Sequence, residues 1–213
     1  MKKHIFTFLV LISCALANAQ SSVKATNLLN EVSSKMASYE NMSIKFKYTL
    51  ENKEVDIHQE SLGFVHTQKE KYKLNFMGNS FLFDGKHTYV INPEDEEINI
   101  ISEDSDEGML TPTKLLYFYK EGFNYEWGAT KKENNKQIQY IKLFPIDNES
   151  ESSYFILKID TKTKNIVSIT DKGLNGTQTI FEIEEFKSNQ PISENLFTFD
   201  RSNFEAKGYT INE

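Results

Sequence analysis

The sequence predicts a mainly-β protein built from antiparallel strands, with two helices. Three observations carry this. From Met42 onward, apolar and polar residues alternate in successive runs, the period of a half-buried strand. The runs are joined by short links rich in Gly, Asn, Asp, Pro and Ser, too short for the crossovers that parallel neighbours need. Only two stretches, near Ala25–Tyr39 and Thr111–Tyr119, carry helical spacing instead.

The first helix places Ala25, Leu28, Leu29, Val32, Met36 and Tyr39 on one stripe, with Ser22 as its expected N-cap. Met42, Ile44, Phe46, Tyr48 and Leu50 then alternate with Ser43, Lys45, Lys47 and Thr49 in a first strand. Strands follow at about Val55–Thr67 and Lys71–Met77, on both sides of Asp84-Gly85, and at Glu97–Ser102. The stretch Gly63–Pro93 is crowded with aromatics and has every break made by Gly, Asn, Asp or Pro. Thr111 followed by Pro112 opens the second helix, and Gly122 closes it. Further strands are expected at Phe123–Thr130, Ile138–Phe144, Tyr154–Asp160, Asn165–Asp171 and Thr177–Lys187, and a short closing one at Leu196–Phe199.

The first residues read as an export signal. Lys2 and Lys3 precede an apolar run, Ile5–Ile12, and Ala17-Asn18-Ala19 is a small-x-small cleavage pattern. The expected cut lies before Gln20, leaving residues 20–213 as one exported domain, expected to be a monomer. The run is too short to cross a hydrocarbon core of about 30 Å. Leu11-Ile12-Ser13-Cys14 offers a rival, lipidation at Cys14. Without the signal, 22 basic residues face 31 acidic ones, which disfavours nucleic acid and anionic membrane surfaces. The single cysteine lies inside the signal, so the mature domain is held by its core alone.

Catalytic patterns are sparse, and no cofactor is expected. His58 and His66 share a strand face but stand far apart, and His87 flanks a turn. No Gly-x-Ser-x-Gly, His-Glu-x-x-His or phosphate-loop pattern occurs. The acidic run Glu103–Glu107 reads as a solvated loop. The expectation is a binding protein and not an enzyme. Its main resource is aromatic surface, at 13% of the chain.

The order of elements, with Asp84-Gly85-Lys86 leading to Tyr89 and Asn92-Pro93, resembles the periplasmic outer-membrane lipoprotein carrier family, the LolA type. Gly63 before Val65, Leu143 with Pro145, and Phe197-Thr198-Phe199 add to the likeness, which spans about Ala25–Asp200. The resemblance implies an unclosed antiparallel β-barrel of about eleven strands covered by α-helices. It implies a periplasmic carrier that shields lipoprotein acyl chains and passes them from an inner-membrane lipoprotein-releasing transporter toward an outer-membrane acceptor. A lipid-sensing or regulatory module of the envelope on the same fold is the alternative. The expected acyl-chain lining is Phe46, Tyr48, Phe64, Tyr72, Phe76, Phe81, Phe83, Tyr89 and Trp127. The expected lid is Leu28, Leu29, Val32 and Met36 with Leu115, Leu116 and Phe118. The family's Arg-Pro after the second strand is replaced by Lys69-Glu70, which makes Lys69 the candidate gating residue and alters its chemistry, because Lys lacks the planar fork of Arg.

Overall fold

In the computed structural model, which describes residues 21–102 and 111–213, strands β1 (Asn41–Asn52), β2 (Ile57–Gln68), β3 (Lys71–Phe76), β4 (Asn79–Phe83), β5 (His87–Asn92) and β6 (Glu97–Ser102) come first. Strands β7 (Phe123–Glu133), β8 (Lys136–Pro145), β9 (Ser152–Asp160), β10 (Ile166–Gly173) and β11 (Gln178–Ser188) follow, and β12 (Thr210–Asn212) closes the series. The export signal, its cleavage site, Cys14 and the acidic run at 103–107 lie outside the described residues. The hydrogen-bonded order is β12-β6-β5-β4-β3-β2-β1-β11-β10-β9-β8-β7, an open sheet with β12 and β7 at its edges. The fold class is therefore the expected one, mainly β and unclosed, with antiparallel ladders and a single parallel pairing among those described, at the β12 edge.

Two expectations are corrected. Leu196–Phe199 is not a strand. A 3-10 turn, Glu194–Phe197, leads instead into helix α3 (Arg201–Ala206), capped by the Asp200 carboxylate on Asn203 N at 3.1 Å. The closing strand is β12, which pairs parallel with β6 through Thr210, Ile211 and Asn212 opposite Glu97, Ile98 and Asn99. Ser22 does not cap the first helix, α1 (residues 21–37), because the helix is already formed at Ser21. The Ser22 carbonyl instead accepts from Thr26 Oγ1 at 3.0 Å. Helix α2 (Pro112–Tyr117) starts as expected, with Thr111 Oγ1 accepting from Lys114 N.

The chain forms two compact units. One holds residues up to Met36, Glu51–Ile57 and Tyr119–Ile180; the other holds Ala37–Leu50, His58–Phe118 and Phe181–Glu213.

In the first unit α1 buries Ala25, Leu28, Leu29, Val32 and Met36, and the sheet buries Ile141, Leu143, Leu157, Ile159 and Ile169. Tyr119, fully buried, fastens α1. Its hydroxyl accepts from Ser33 Oγ at 3.2 Å and meets Met36 Sδ at 3.9 Å, while its carbonyl accepts from Tyr125 OH at 2.8 Å. Ser21 Oγ accepts from Trp127 N on β7, and Glu31 pairs with Lys164 on the β9–β10 turn at 2.7 Å.

In the second unit both faces of β4 and β5 carry apolar residues, Phe81, Phe83 and Val90 on one and Leu82, Tyr89 and Ile91 on the other. Leu82, Tyr89, Ile91 and Ile98 form a core with Phe197, and Ile192, Leu196, Phe199, Phe204, Tyr209 and Ile211 pack against it. The segment 192–211 thus covers one sheet face. The opposite face carries the candidate site.

Candidate functional site

Register assigns the faces, because residues directly opposite in a ladder point to the same side and sequence neighbours point to opposite sides. Gly63 faces Phe76, Val65 faces Leu74 and Thr67 faces Tyr72; on the next strand Tyr72 faces Phe83 and Leu74 faces Phe81. These side chains share one face. Phe46 belongs to it, because its ring lies directly over the Gly63 backbone, where any side chain would collide with it. Glycine is the residue that fits there.

An aromatic wall results. Phe46 meets Phe76 at 5.6 Å and Phe181 at 5.9 Å between centroids; Tyr48 meets the same two rings at 5.3 Å each. Tyr72 stacks on Phe83 at 5.7 Å. Tyr72 is buried, whereas Phe46, Tyr48, Phe76, Phe81, Phe83 and Phe181 are half-buried. Tilted and edge-on rings that stay half-covered offer apolar surface without being packed into a closed core. α2 packs on β3 in this unit, with Leu116 buried and Leu115 and Phe118 half-buried.

Not every expected lining residue is here. Phe64 and Tyr89 point to the opposite face, and Trp127 lies in the first unit, on the β7 face that carries Tyr125. Phe181 belongs to the wall but not to the lining expected from sequence; the alternation Phe181, Ile183 in β11 carries its signal.

Phe64 meets His66 edge-on at 4.5 Å, in a groove of about 380 Å³. Ser43 Oγ and His66 Nδ1 are 2.7 Å apart there. Burial first, then the nearby Lys73, hold the His66 imidazole below its ordinary value. Glu185 lines the same groove but is paired with Lys187 at 2.6 Å, so the contacts make a Ser–His pair and not a triad.

Tyr89 has a structural task. Asp84 accepts from Lys86 N at 2.8 Å and His87 N at 2.9 Å, and its other oxygen accepts from Tyr89 OH at 3.0 Å. Gly85 completes the turn at φ +100°. Burial and this bond push the Tyr89 phenol up to about 12. Burial alone would raise the Asp84 carboxyl, but its hydrogen bonds to His87, Lys86 and Tyr89 outweigh that and hold it below the usual value. Tyr89 then stacks on Phe199 at 4.1 Å. The motif that marks the sequence is thus a clamp between a turn and the segment covering the opposite face.

Lys69 is exposed in the two-residue β2–β3 turn at φ +55°. Burial first, then the charge of Glu70 in the same turn, push the Tyr117 phenol on α2 up.

In the first unit Asp171 faces Phe155, which in turn meets Phe123 edge-on at 5.5 Å. One Asp171 oxygen is buried without a hydrogen-bond partner, and burial pushes the carboxyl up despite a bond from Ser152. A carboxyl with a raised folded pKa contributes its full stability below the unfolded value, and that contribution is lost as pH rises through the folded one. Asp171→Asn is therefore expected to gain at most about 1 kcal/mol at neutral pH, since solvent screens the half-exposed carboxylate, and to lose the gain near pH 4, as urea denaturation at the two pH values would measure.

Among the described residues no group of His, Cys, Asp or Glu is placed to hold a metal ion. An open antiparallel sheet with a half-buried aromatic face defines a binding scaffold for apolar material. Residues 37–200 match the family described as outer membrane lipoprotein carrier protein LolA, and the chain belongs to that family.

Solved structures agree on the fold. An uncharacterized conserved protein from Thermus thermophilus superposes with TM-score 0.58 at 10% identity, over 84% of this chain and 96% of that one. MucB gives 0.52 at 12% identity, over 84% of this chain; the match spans 64% of MucB, less than two thirds of its length. LprF from Mycobacterium bovis gives 0.51 at 12%, over 81% and 96%. No curated protein sequence matches the chain.

Proposed function

We propose that this protein is a periplasmic carrier that shields lipoprotein acyl chains against the aromatic wall and delivers them toward the outer membrane. The observation that supports this most directly is the set of half-buried rings around Phe46, Tyr48, Phe76 and Phe181 in a member of the lipoprotein carrier family. In this reading Tyr72, Phe81 and Phe83 extend the wall, and Leu115, Leu116 and Phe118 act as its cover. α1, with Leu28, Leu29, Val32 and Met36 buried and fastened by Tyr119, is the fixed element of its own unit.

Fully enclosing a sixteen-carbon chain would gain on the order of 12 kcal/mol at about 0.8 kcal/mol per CH₂. Two or three chains held that way could not be released. A wall that covers the chains in part keeps binding reversible, so that an inner-membrane transporter can load the carrier and an outer-membrane acceptor can unload it.

The experiment is extraction of material bound to protein purified from the periplasm, with an assay of lipoprotein release from spheroplasts. Acyl-chain lipid or lipoprotein in the extract, and release stimulated by added protein, are the expected results. An empty extract with no stimulation overturns the carrier reading.

A further inference from the structure

A second cleft lies in the same unit, on the sheet face opposite the aromatic wall. It encloses about 580 Å³, within the range of small-ligand sites. Its floor is apolar: Ile100, and Tyr89 stacked on Phe199 with a ring spacing of 4.1 Å and 17° between planes. Arg201, His87 and Glu213 supply its polar groups.

Arg201 is the only arginine in a chain whose other basic residues are all lysines. Guanidinium differs from ammonium in presenting a planar fork to carboxylates and phosphates and in lying comfortably beside aromatic faces. Here it is half in solvent. One guanidinium nitrogen meets Glu213 Oε1 at 2.5 Å, the other Glu205 Oε1 at 3.8 Å. Glu213 is 71% exposed, so its carboxylate is held by a surface ion pair and little else. The contact shows what the position accepts: an oxyanion on Arg201 above an aromatic floor.

We propose that this cleft is a second ligand site, for a small anion with an apolar body, whose carboxylate or phosphate head takes the place of Glu213 on Arg201 while its body lies on Tyr89, Phe199 and Ile100. It is independent of the carrier reading, because it uses the other face of the sheet. The Glu213 carboxylate acts as an internal competitor that the ligand displaces.

The test is isothermal titration of the full protein with 4-phenylbutyrate, phenyl phosphate and the neutral 4-phenylbutan-1-ol. One anion class is expected to bind at one site, and the tighter of the two identifies the head group. The alcohol and the Arg201→Gln variant are expected to bind at least about tenfold more weakly, since a charge-assisted hydrogen-bond pair is removed. Glu213→Gln is expected to bind about two- to fivefold more tightly, the range of an exposed ion pair. Unchanged melting of both variants excludes misfolding as the cause. Equal binding of alcohol and anions, unaltered affinity in Arg201→Gln, no gain in Glu213→Gln, or loss of binding in a Phe46→Ala/Phe181→Ala variant would each overturn the proposal.

Discussion

Tyr119→Ala is expected to cost about 3–5 kcal/mol of stability, the range for deleting a fully buried aromatic ring. Tyr119 has no exposed surface, and its hydroxyl joins Ser33 and Met36 on α1. The substitution leaves a cavity and strips Ser33 of a buried partner at once. Tyr119→Phe keeps the ring and removes only the hydroxyl, so its cost is expected at about 1 kcal/mol. Urea denaturation of the three proteins gives the two values. Amide exchange across residues 21–37 is expected to rise in the alanine variant well beyond exchange in the second unit. A loss below about 1 kcal/mol for Tyr119→Ala would show that α1 is held by other contacts.

Removing Phe46 and Phe181 together is expected to weaken acyl-chain binding by about ten- to a hundredfold, equivalent to roughly 1.4–2.8 kcal/mol of lost apolar contact. These two rings meet each other, and Phe46 also meets Phe76 while Phe181 also meets Tyr48, so their loss removes half of the four-ring cluster and opens one side of the wall. Displacement of a fluorescent fatty acid from purified protein measures the effect. Phe64→Ser provides the internal comparison, because Phe64 points to the other face. Its affinity is expected to match the unaltered protein. Equal weakening in both variants would remove the distinction between the faces and the site with it.

That distinction marks the limit of what the sequence discloses. Strand existence is legible because Met42 to Leu50 alternates with period two and Asp84-Gly85 breaks the chain where a turn must form. Thr111-Pro112 announces α2 for an equally local reason, since the cap is made within one turn. Which face a side chain occupies is different. In β5 both parities are apolar or buried, Tyr89 and Ile91 on one face, Thr88 and Val90 on the other. Alternation then gives no sign of which face carries the wall. Only pairing with β4 and β6, and the arrival of Phe199, place Tyr89 away from Phe83. Phe64 is ambiguous in the sequence for the same reason. The segment Leu196–Phe199 has strand-like alternation over only three residues, Phe197-Thr198-Phe199, too few to outweigh the Asp200 cap that follows and starts a helix.

The parallel pairing of β12 with β6 sets an order of events during folding. Asn212 Nδ2 donates to Asn99 Oδ1 across 113 residues of chain, and Thr210 N reaches Glu96 O at 2.9 Å. The hairpins of β2–β6 close small loops and can form early, whereas this junction must await a very large one. A chain emerging from its N-terminus therefore holds Leu82, Tyr89, Ile91 and Ile98 uncovered, beside an unpaired β6 edge, until residues 192–212 are made. During that interval the molecule presents what aggregation needs, a bare apolar face flanked by free backbone groups. Its yield on synthesis is thus expected to depend on how quickly the final segment docks, even though most of the sheet precedes it in the chain.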